Sequence, residues 1–351
     1  MFQAPPISPT EDTGLRQALQ HKIDRKTKPL GALGRLEALA LQLGLVQQTE
    51  SPALSTPQVV VFAADHGIAA ERVSAYPAEV TPQMVMNMLG SAEQPGGAAI
   101  NVLARQHGFA LTVVDAGVAV DLPEHPQLIK RKIAHGTRNS CFAPAMSEQH
   151  ALAALNAGME TVQQLPGNVL ALGEMGIGNS SSAALILARL AQVPLKDAAG
   201  RGTGLDDTAL MHKREVLLRA SQRHPMAQSP LQVLCAFGGF EIAMMCGAML
   251  QAAAERRVVL VDGFIAGAAA LLARGFTPQV MDYLVFAHVG AEHGHRLMLQ
   301  HLQAEPLMDL DLRLGEGSGA LLAWPLLQFA ANFLNEMASF ESAGVADKEV
   351  V

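Results

Sequence analysis

Short unbroken apolar runs alternate along this chain with longer stretches in which apolar side chains return every three or four residues. The runs at 58–64, 110–114, 168–172, 257–261 and 283–287 have the length and continuity of strands covered on both faces. Helical spacing marks 15–23, 35–44, 84–89, 98–106, 147–165, 180–191, 208–223, 241–255, 264–273 and 320–340. Strands separated by helices, with no hairpin turn pairs, predict an α/β fold: a Rossmann-like parallel sheet with helices on both faces. The Pro-rich residues 1–14 read as a surface arm, and a Gly/Pro turn at 26–34 divides the first two helices.

Polar residues collect where the predicted strands end. The stretch Leu170-Ala-Leu-Gly-Glu174-Met-Gly176-Ile-Gly178-Asn179-Ser180 reads as strand, tight turn and helix start. Glycine lets main chain approach a ligand, and the first N–H groups of a helix, helped by Asn179 and Ser180, suit a phosphate. An ordinary capped helix after a buried strand is the bland alternative, and Glu174 weighs against it. A carboxylate at the carboxyl end of a buried strand sits where open α/β sheets place their ligand crevice. Asp65-His66-Gly67, Asp115, Asp262-Gly263 and His288-Val-Gly290 mark other strand ends. Asp65 and His66 could bind a metal, but such a pair before a glycine more often finishes a strand. Near the C-terminus, Gly315, Gly317 and Gly319 bracket Glu316 at the mouth of an apolar helix. A carboxylate in so thinly solvated a turn has a raised pKa and suits a general base, the alternative being a helix start with an acid near its positive end.

Composition narrows the class. Half of the 351 residues are apolar and 16% are charged, which leaves no long disordered tract. A net charge of -7, with no basic block longer than Lys130-Arg131-Lys132, argues against a protein that coats nucleic acid or an anionic membrane. The first residues carry neither a basic nor an apolar signal-peptide region, and no apolar run reaches the ~20 residues of a membrane span. Cys141, Cys235 and Cys246 show no CxxC spacing and fit buried thiols in a reducing, cytoplasmic setting.

Six motifs together resemble one family over nearly the whole chain. They are Lys28-Pro29-Leu30-Gly31-Ala32-Leu33-Gly34-Arg35-Leu36-Glu37, Ala64-Asp65-His66-Gly67, Gly96-Gly97-Ala-Ala-Ile-Asn101, Gly173-Glu174-Met175-Gly176-Ile177-Gly178-Asn179, Val261-Asp262-Gly263-Phe264 and Arg313-Leu314-Gly315-Glu316-Gly317-Ser318-Gly319. The family is nicotinate-nucleotide:5,6-dimethylbenzimidazole phosphoribosyltransferase, which makes α-ribazole 5'-phosphate for the lower ligand of cobalamin. The resemblance implies a homodimer with a large α/β domain, 50–304, and a small helical domain built from 1–49 and 305–351. It implies Glu316 as catalytic base, Glu174 as a second carboxylate, and Lys213, after the loop 200–204 with Gly202, near the nucleotide phosphate. Gly176, Gly178, Asn179, Ser180, Asp262 and Gly263 would face the nucleotide, and Tyr76, Met84, Met175, Ile177 and Leu314 the aromatic base. Only small molecules are implied as partners, with no cofactor, no metal and no nucleic acid. Tyr76 and Met84 stand where some members carry small or polar residues, so other benzimidazoles, adenine and phenolics stay open as bases. Residues 90–95 read as an insertion forming a longer surface loop.

Displacing nicotinate from a mononucleotide breaks an N-glycosidic bond, and the pyridinium leaves as a neutral ring without an acid. The incoming benzimidazole needs a base for its N–H proton, and the rest is positioning. Two rival readings remain at this level. A metal-dependent hydrolase would rest on Asp65, His66, Asp115, Asp262, His288, His293 and His295, although His293 and His295 fall on different faces of a helix. A nucleotide-sensing module would need the phosphate turn but no base.

Overall fold

The computed structural model of the protein describes residues 2–91, 93–202 and 204–347. Met1 of the expected arm, Ala92 of the expected insertion, Thr203 of the glycine loop and residues 348–351 of the expected C-terminal unit lie outside the described residues.

Six strands, β1 (Gln58–Ala64), β2 (Ala110–Gly117), β3 (Leu128–Lys130), β4 (Val169–Met175), β5 (Val258–Val261) and β6 (Leu284–Phe286), form one parallel sheet. Their order is β3-β2-β1-β4-β5-β6, which reverses direction between β1 and β4, as in doubly wound nucleotide-binding folds. A second, two-stranded parallel sheet pairs β7 (His288–Gly290) with β8 (Met308–Leu312). The helices are α1 (Thr13–Asp24), α2 (Arg35–Gln47), α3 (Val80–Leu89), α4 (Ala99–His107), α5 (Glu148–Gln163), α6 (Asn179–Leu190) and α7 (Leu195–Ala198). They continue as α8 (Asp207–Arg223), α9 (Pro230–Phe237), α10 (Phe240–Ala254), α11 (Phe264–Phe276), α12 (His293–Leu302), α13 (Ser318–Glu336) and α14 (Phe340–Ala343).

The α/β fold follows the apolar pattern, and the differences have local causes. Strands β3 and β7 have three residues each, too few to carry a periodic signal, and exist because a neighbouring strand pairs with them. Strand β8, Met-Asp-Leu-Asp-Leu, does alternate, but it lies half out of the core and lacks the continuous apolar run used to find the others. The helix expected to run to Phe340 stops at Glu336, because Lys26 takes the carbonyl of Met337 at 2.6 Å and bridges to Ser339. Residues 90–95 close on themselves through a Gly90–Pro95 bridge.

Every residue of β1 and β5, and all of β4 but Met175, is buried, as a sheet covered on both faces requires. One helix group centres on α10, which packs on α5, α11 and the sheet, and another on α13, which packs on α2, α4 and strands β4 and β5. Helix α10 is apolar all round and buried along nearly its whole length. Two glycines let it touch α5 backbone to backbone: a Cβ on Gly158 would lie 2.0 Å from the Met244 carbonyl oxygen, and one on Gly247 would lie 2.0 Å from that of Leu155.

The chain ends are tied in. Phe2 meets Phe276 edge-on at 4.8 Å, and the Tyr283 hydroxyl donates to the Ser8 carbonyl at 2.7 Å, so the N-terminal arm is strapped to the body. Lys28 and Glu37 form a buried ion pair at 2.8 Å across the turn between α1 and α2. Cys246 is buried, whereas Cys141 and Cys235, expected to be buried too, are half-buried, and all three are free thiols. Among the described residues no helix is long and apolar enough to cross a membrane.

The α5–α10 contact yields a stability prediction. Gly158→Leu must push two backbones apart, so it is expected to cost about 3 kcal/mol or more. Urea denaturation checks this as a lowered midpoint at unchanged slope.

Candidate active site

A cavity of about 390 Å³ opens beyond the carboxyl ends of β4 and β5, beside the point where strand order reverses. Three helices begin at its wall: α6 behind Gly178, α11 behind Gly263 and α12 behind Glu292. Their first N–H groups make one side of the cavity attractive to an anion. Of the residues singled out in the sequence, Gly176, Gly178, Asn179, Ser180, Gly202, Asp262, Gly263, Glu174, Glu316, Tyr76, Met84, Met175, Ile177 and Leu314 all line it. Lys213 lies just behind the wall, fully buried, and its Nζ donates to Ser180 Oγ at 2.9 Å.

The turn after β4 has the shape its sequence suggested. Gly176 leaves no room for a side chain, since a Cβ there would sit 2.3 Å from the Ala64 carbonyl oxygen. Gly178 takes φ 100°, a conformation that other residues rarely adopt. Between them the Ile177 N–H donates to Thr81 Oγ1 at 3.0 Å, which moors the turn to α3.

Glu316 is held in a strained conformation. It has φ 65° between Gly315 at 86° and Gly317 at 87°, three left-handed residues in succession. For a residue with a side chain this costs about 1–2 kcal/mol, so the surroundings must impose it. Asp262 does much of that: one carboxylate oxygen accepts the Gly317 N–H at 3.2 Å, the other the Ala320 N–H at 3.0 Å. The Ser318 hydroxyl donates to the Gly315 carbonyl at 2.7 Å, and Gly173 on β4 abuts the Glu316 carbonyl so closely that a Cβ would lie 2.2 Å away. The Glu316 side chain is buried, one of its oxygens finds no partner, and burial raises its pKa.

Three further groups are displaced from their ordinary titration ranges. Burial, reinforced by the nearby Asp262, Glu241 and Glu316 carboxylates, pushes Glu174 up to about 8 although Asn179 donates its side-chain amide to it. Burial likewise raises Asp262 to about 7 against the pull of the backbone N–H groups. Lys213 is lowered to about 8 by burial, with Glu292 pulling the other way. Asp262, expected to face the nucleotide, lines the cavity and at the same time holds the Glu316 turn through both oxygens.

His288, His295 and Glu292 also line the cavity and were not proposed as ligand contacts. His295 Nδ1 accepts the Gly290 N–H at 2.8 Å, which places its proton on Nε2, and burial lowers its pKa to about 3, so it is a neutral donor. For the two histidines the sequence signal is the polar run after β6, whose His288, His293 and His295 also suit metal ligation. The structure scatters that set: His293 is exposed while His295 is buried, Asp65 accepts the Ala119 N–H at 2.7 Å, and Asp115 accepts that of Val118 at 2.9 Å. No three His, Cys, Asp or Glu side chains among the described residues are grouped as metal ligands would be.

A doubly wound sheet whose crevice joins an anion-suited wall to buried carboxylates defines a nucleotide-handling class, and residues 8–345 match a family model described as phosphoribosyltransferase, so the chain belongs to that family. Among its relatives is the nicotinate-nucleotide--dimethylbenzimidazole phosphoribosyltransferase of Cupriavidus taiwanensis, 60% identical over 348 residues, 98% of this chain and 99% of the relative. Its counterpart of the same name in Cupriavidus necator is 59% identical over the same shares of both chains. The crystal structure of CobT from Thermus thermophilus superposes with a TM-score of 0.91 at 43% identity, covering 95% of this chain and 100% of that one.

The position of Glu174 makes stability depend on pH. Its folded-state pKa, raised from 4.5 to about 8, means that the folded protein keeps the neutral acid after the unfolded chain has ionised. That contribution is whole below pH 4.5 and lost as pH rises to 8. Glu174→Gln mimics the neutral acid throughout, so its melting temperature should match wild type at low pH and exceed it by about 2 °C or more at pH 8–9. Thermal denaturation across pH measures this.

Proposed function

We propose that the protein moves the 5-phosphoribosyl group from nicotinate mononucleotide to 5,6-dimethylbenzimidazole or a related flat base, yielding nicotinate and α-ribazole 5'-phosphate for the cobalamin nucleotide loop. The observation that carries this reading is Glu316, a buried carboxylate with one unpartnered oxygen, on a strained turn at a cavity whose wall includes the starts of α6, α11 and α12.

The chemistry follows from that placement. The phosphate rests against the starts of the helices, with Lys213 supplying charge through the Ser180 and Gly202 side of the wall. Tyr76 and Leu314, exposed at the mouth, with Met84, Met175 and Ile177 deeper in, form the slot for the aromatic base. One ring nitrogen of the benzimidazole attacks the anomeric carbon as the bond to nicotinate breaks, and the electron pair of that bond leaves on the now neutral pyridine ring. Glu316 takes the N–H proton from the other benzimidazole nitrogen. Glu174, neutral near pH 7, adds no second negative charge beside the base and donates a proton to a hydrogen bond. The reaction so drawn uses a base and an anion anchor and calls for no metal.

Residues 1–49 and 305–351 are read as a small helical unit, which the packing of α2 on α13 and the Lys26–Ser339 bridge support, with 50–304 as the large one. The family resemblance supports a homodimer, and the free cysteines are in keeping with a cytoplasmic setting.

Incubation with nicotinate mononucleotide and 5,6-dimethylbenzimidazole should release nicotinate. Glu316→Gln keeps the shape of the turn but cannot take the proton, so kcat should fall by roughly 10²–10⁴-fold with nucleotide binding little changed. Near-normal turnover in that variant would sink the assignment.

A second expectation concerns pH. Free-enzyme kcat/KM should fall on the acid side as Glu316 gains a proton, at a pH above the ordinary carboxylate range, and on the alkaline side near 8 as Lys213 loses its charge. Lys213→Met should raise the nucleotide KM by about 10-fold or more at pH 7 and abolish the alkaline limb.

A further inference from the structure

Behind the glycine turn, outside the cavity, lies a buried polar triad that the mechanism above does not use. His66 Nε2 donates to Glu241 Oε1 at 2.6 Å, and both side chains are wholly shielded from solvent. Ser182 Oγ lies 3.0 Å from His66 Nδ1. The three residues belong to different elements: His66 follows β1, Ser182 is in the second half-turn of α6, and Glu241 is in the first turn of α10, where helix N–H groups favour a carboxylate. The imidazole is the floor of the turn. A Cβ on Gly176 would lie 3.4 Å from the ring, and one on Gly178 would lie 3.2 Å from His66 Cβ. On the other side, a Cβ on Gly239 would lie 2.3 Å from the ring, so His66 is wedged between the turn and the start of α10.

A fully buried ionisable pair stabilises a fold little better than apolar side chains of the same volume, and often worse. What it supplies is direction: a ring hydrogen-bonded at both nitrogens can neither slide nor rotate, whereas an apolar one could. Gly176 and Gly178 have no side chains with which to hold the turn, which is tied to α3 through the Ile177 N–H, and they line the cavity above the ring.

We infer that His66, oriented by Glu241 and Ser182, is a positioning residue that fixes the Gly176–Gly178 turn and the first turn of α6 in the geometry that receives the mononucleotide phosphate. This rests on the reading under Proposed function for the identity of the ligand, but not for the mechanical role of the triad.

The test compares Glu241→Leu, which keeps volume and removes the acceptor, with Glu241→Gln, which keeps an acceptor in place. Glu241→Leu should raise the KM for nicotinate mononucleotide about 10–100-fold, while kcat at saturating nucleotide and the KM for the benzimidazole change less than about threefold, and Glu241→Gln should restore most of the loss. An unchanged nucleotide KM in a folded Glu241→Leu protein overturns the inference. So does a rise of both KM values in parallel with a fall of kcat and melting temperature, which would mean a general structural role. If Glu241→Leu does not fold, Ser182→Ala cuts only the tie to α6, and an unchanged nucleotide KM there overturns the inference equally. Amide hydrogen exchange on ligand-free protein reads the same device without reference to substrate: residues 174–184 should lose protection about tenfold more than the sheet does. If wild type releases no nicotinate, the functional reading fails while this exchange measurement still decides the role of the triad; protection unchanged in the variants would overturn it.

Discussion

The two hydrogen bonds from the Asp262 carboxylate to the N–H groups of Gly317 and Ala320 are the constraint on which the site depends. Asp262 stands at the end of β5, a strand buried on every side, so its position is as fixed as the sheet itself. Through it the start of α13 is docked onto the sheet edge, and three left-handed residues are held in a form that the chain alone would not keep. Gly173 allows β4 to come up against the same turn from below. Removing either support would free Glu316 to relax toward solvent, where burial would no longer raise its pKa.

Charge in this cavity is rationed. Glu174, Glu316 and Asp262 crowd one poorly solvated space, and their mutual repulsion with burial keeps protons on them at pH values where exposed carboxylates are ionised. Lys213 faces the same shortage of water and holds its proton less firmly than usual. The cavity therefore has Lys213 behind one end and the carboxylates at the other, with neutral His295 as a donor that carries no charge. Such a separation keeps the lysine and the acids from neutralising each other, which the proposed reaction requires.

Much of the architecture could be read along the chain because it is contiguous. The continuous apolar runs became β1, β2, β4, β5 and β6, since a strand covered on both faces admits no polar position. The glycines around Glu174 and Glu316 were informative because backbone that must approach another backbone, or take positive φ, restricts residue choice at that point whatever lies elsewhere. Strands β3 and β7 escaped, having no pattern of their own to show, and so did the task of Asp262, whose partners lie 55 and 58 residues away.

By itself, then, the amino-acid order determined the long buried strands and most of the helices, that they alternate into a parallel sheet, and which carboxylates stand at glycine-lined turns, because these depend on local periodicity and backbone freedom. Only the tertiary structure decided that the turns share one cavity, that three helix starts converge on it, that Asp262 serves the Glu316 turn, and that His66 lies against Glu241, 175 residues away. Burial and through-space charge set the acidity of each group, and both arise from how the sheet brings distant strand ends to one edge, a relation that no stretch of sequence contains.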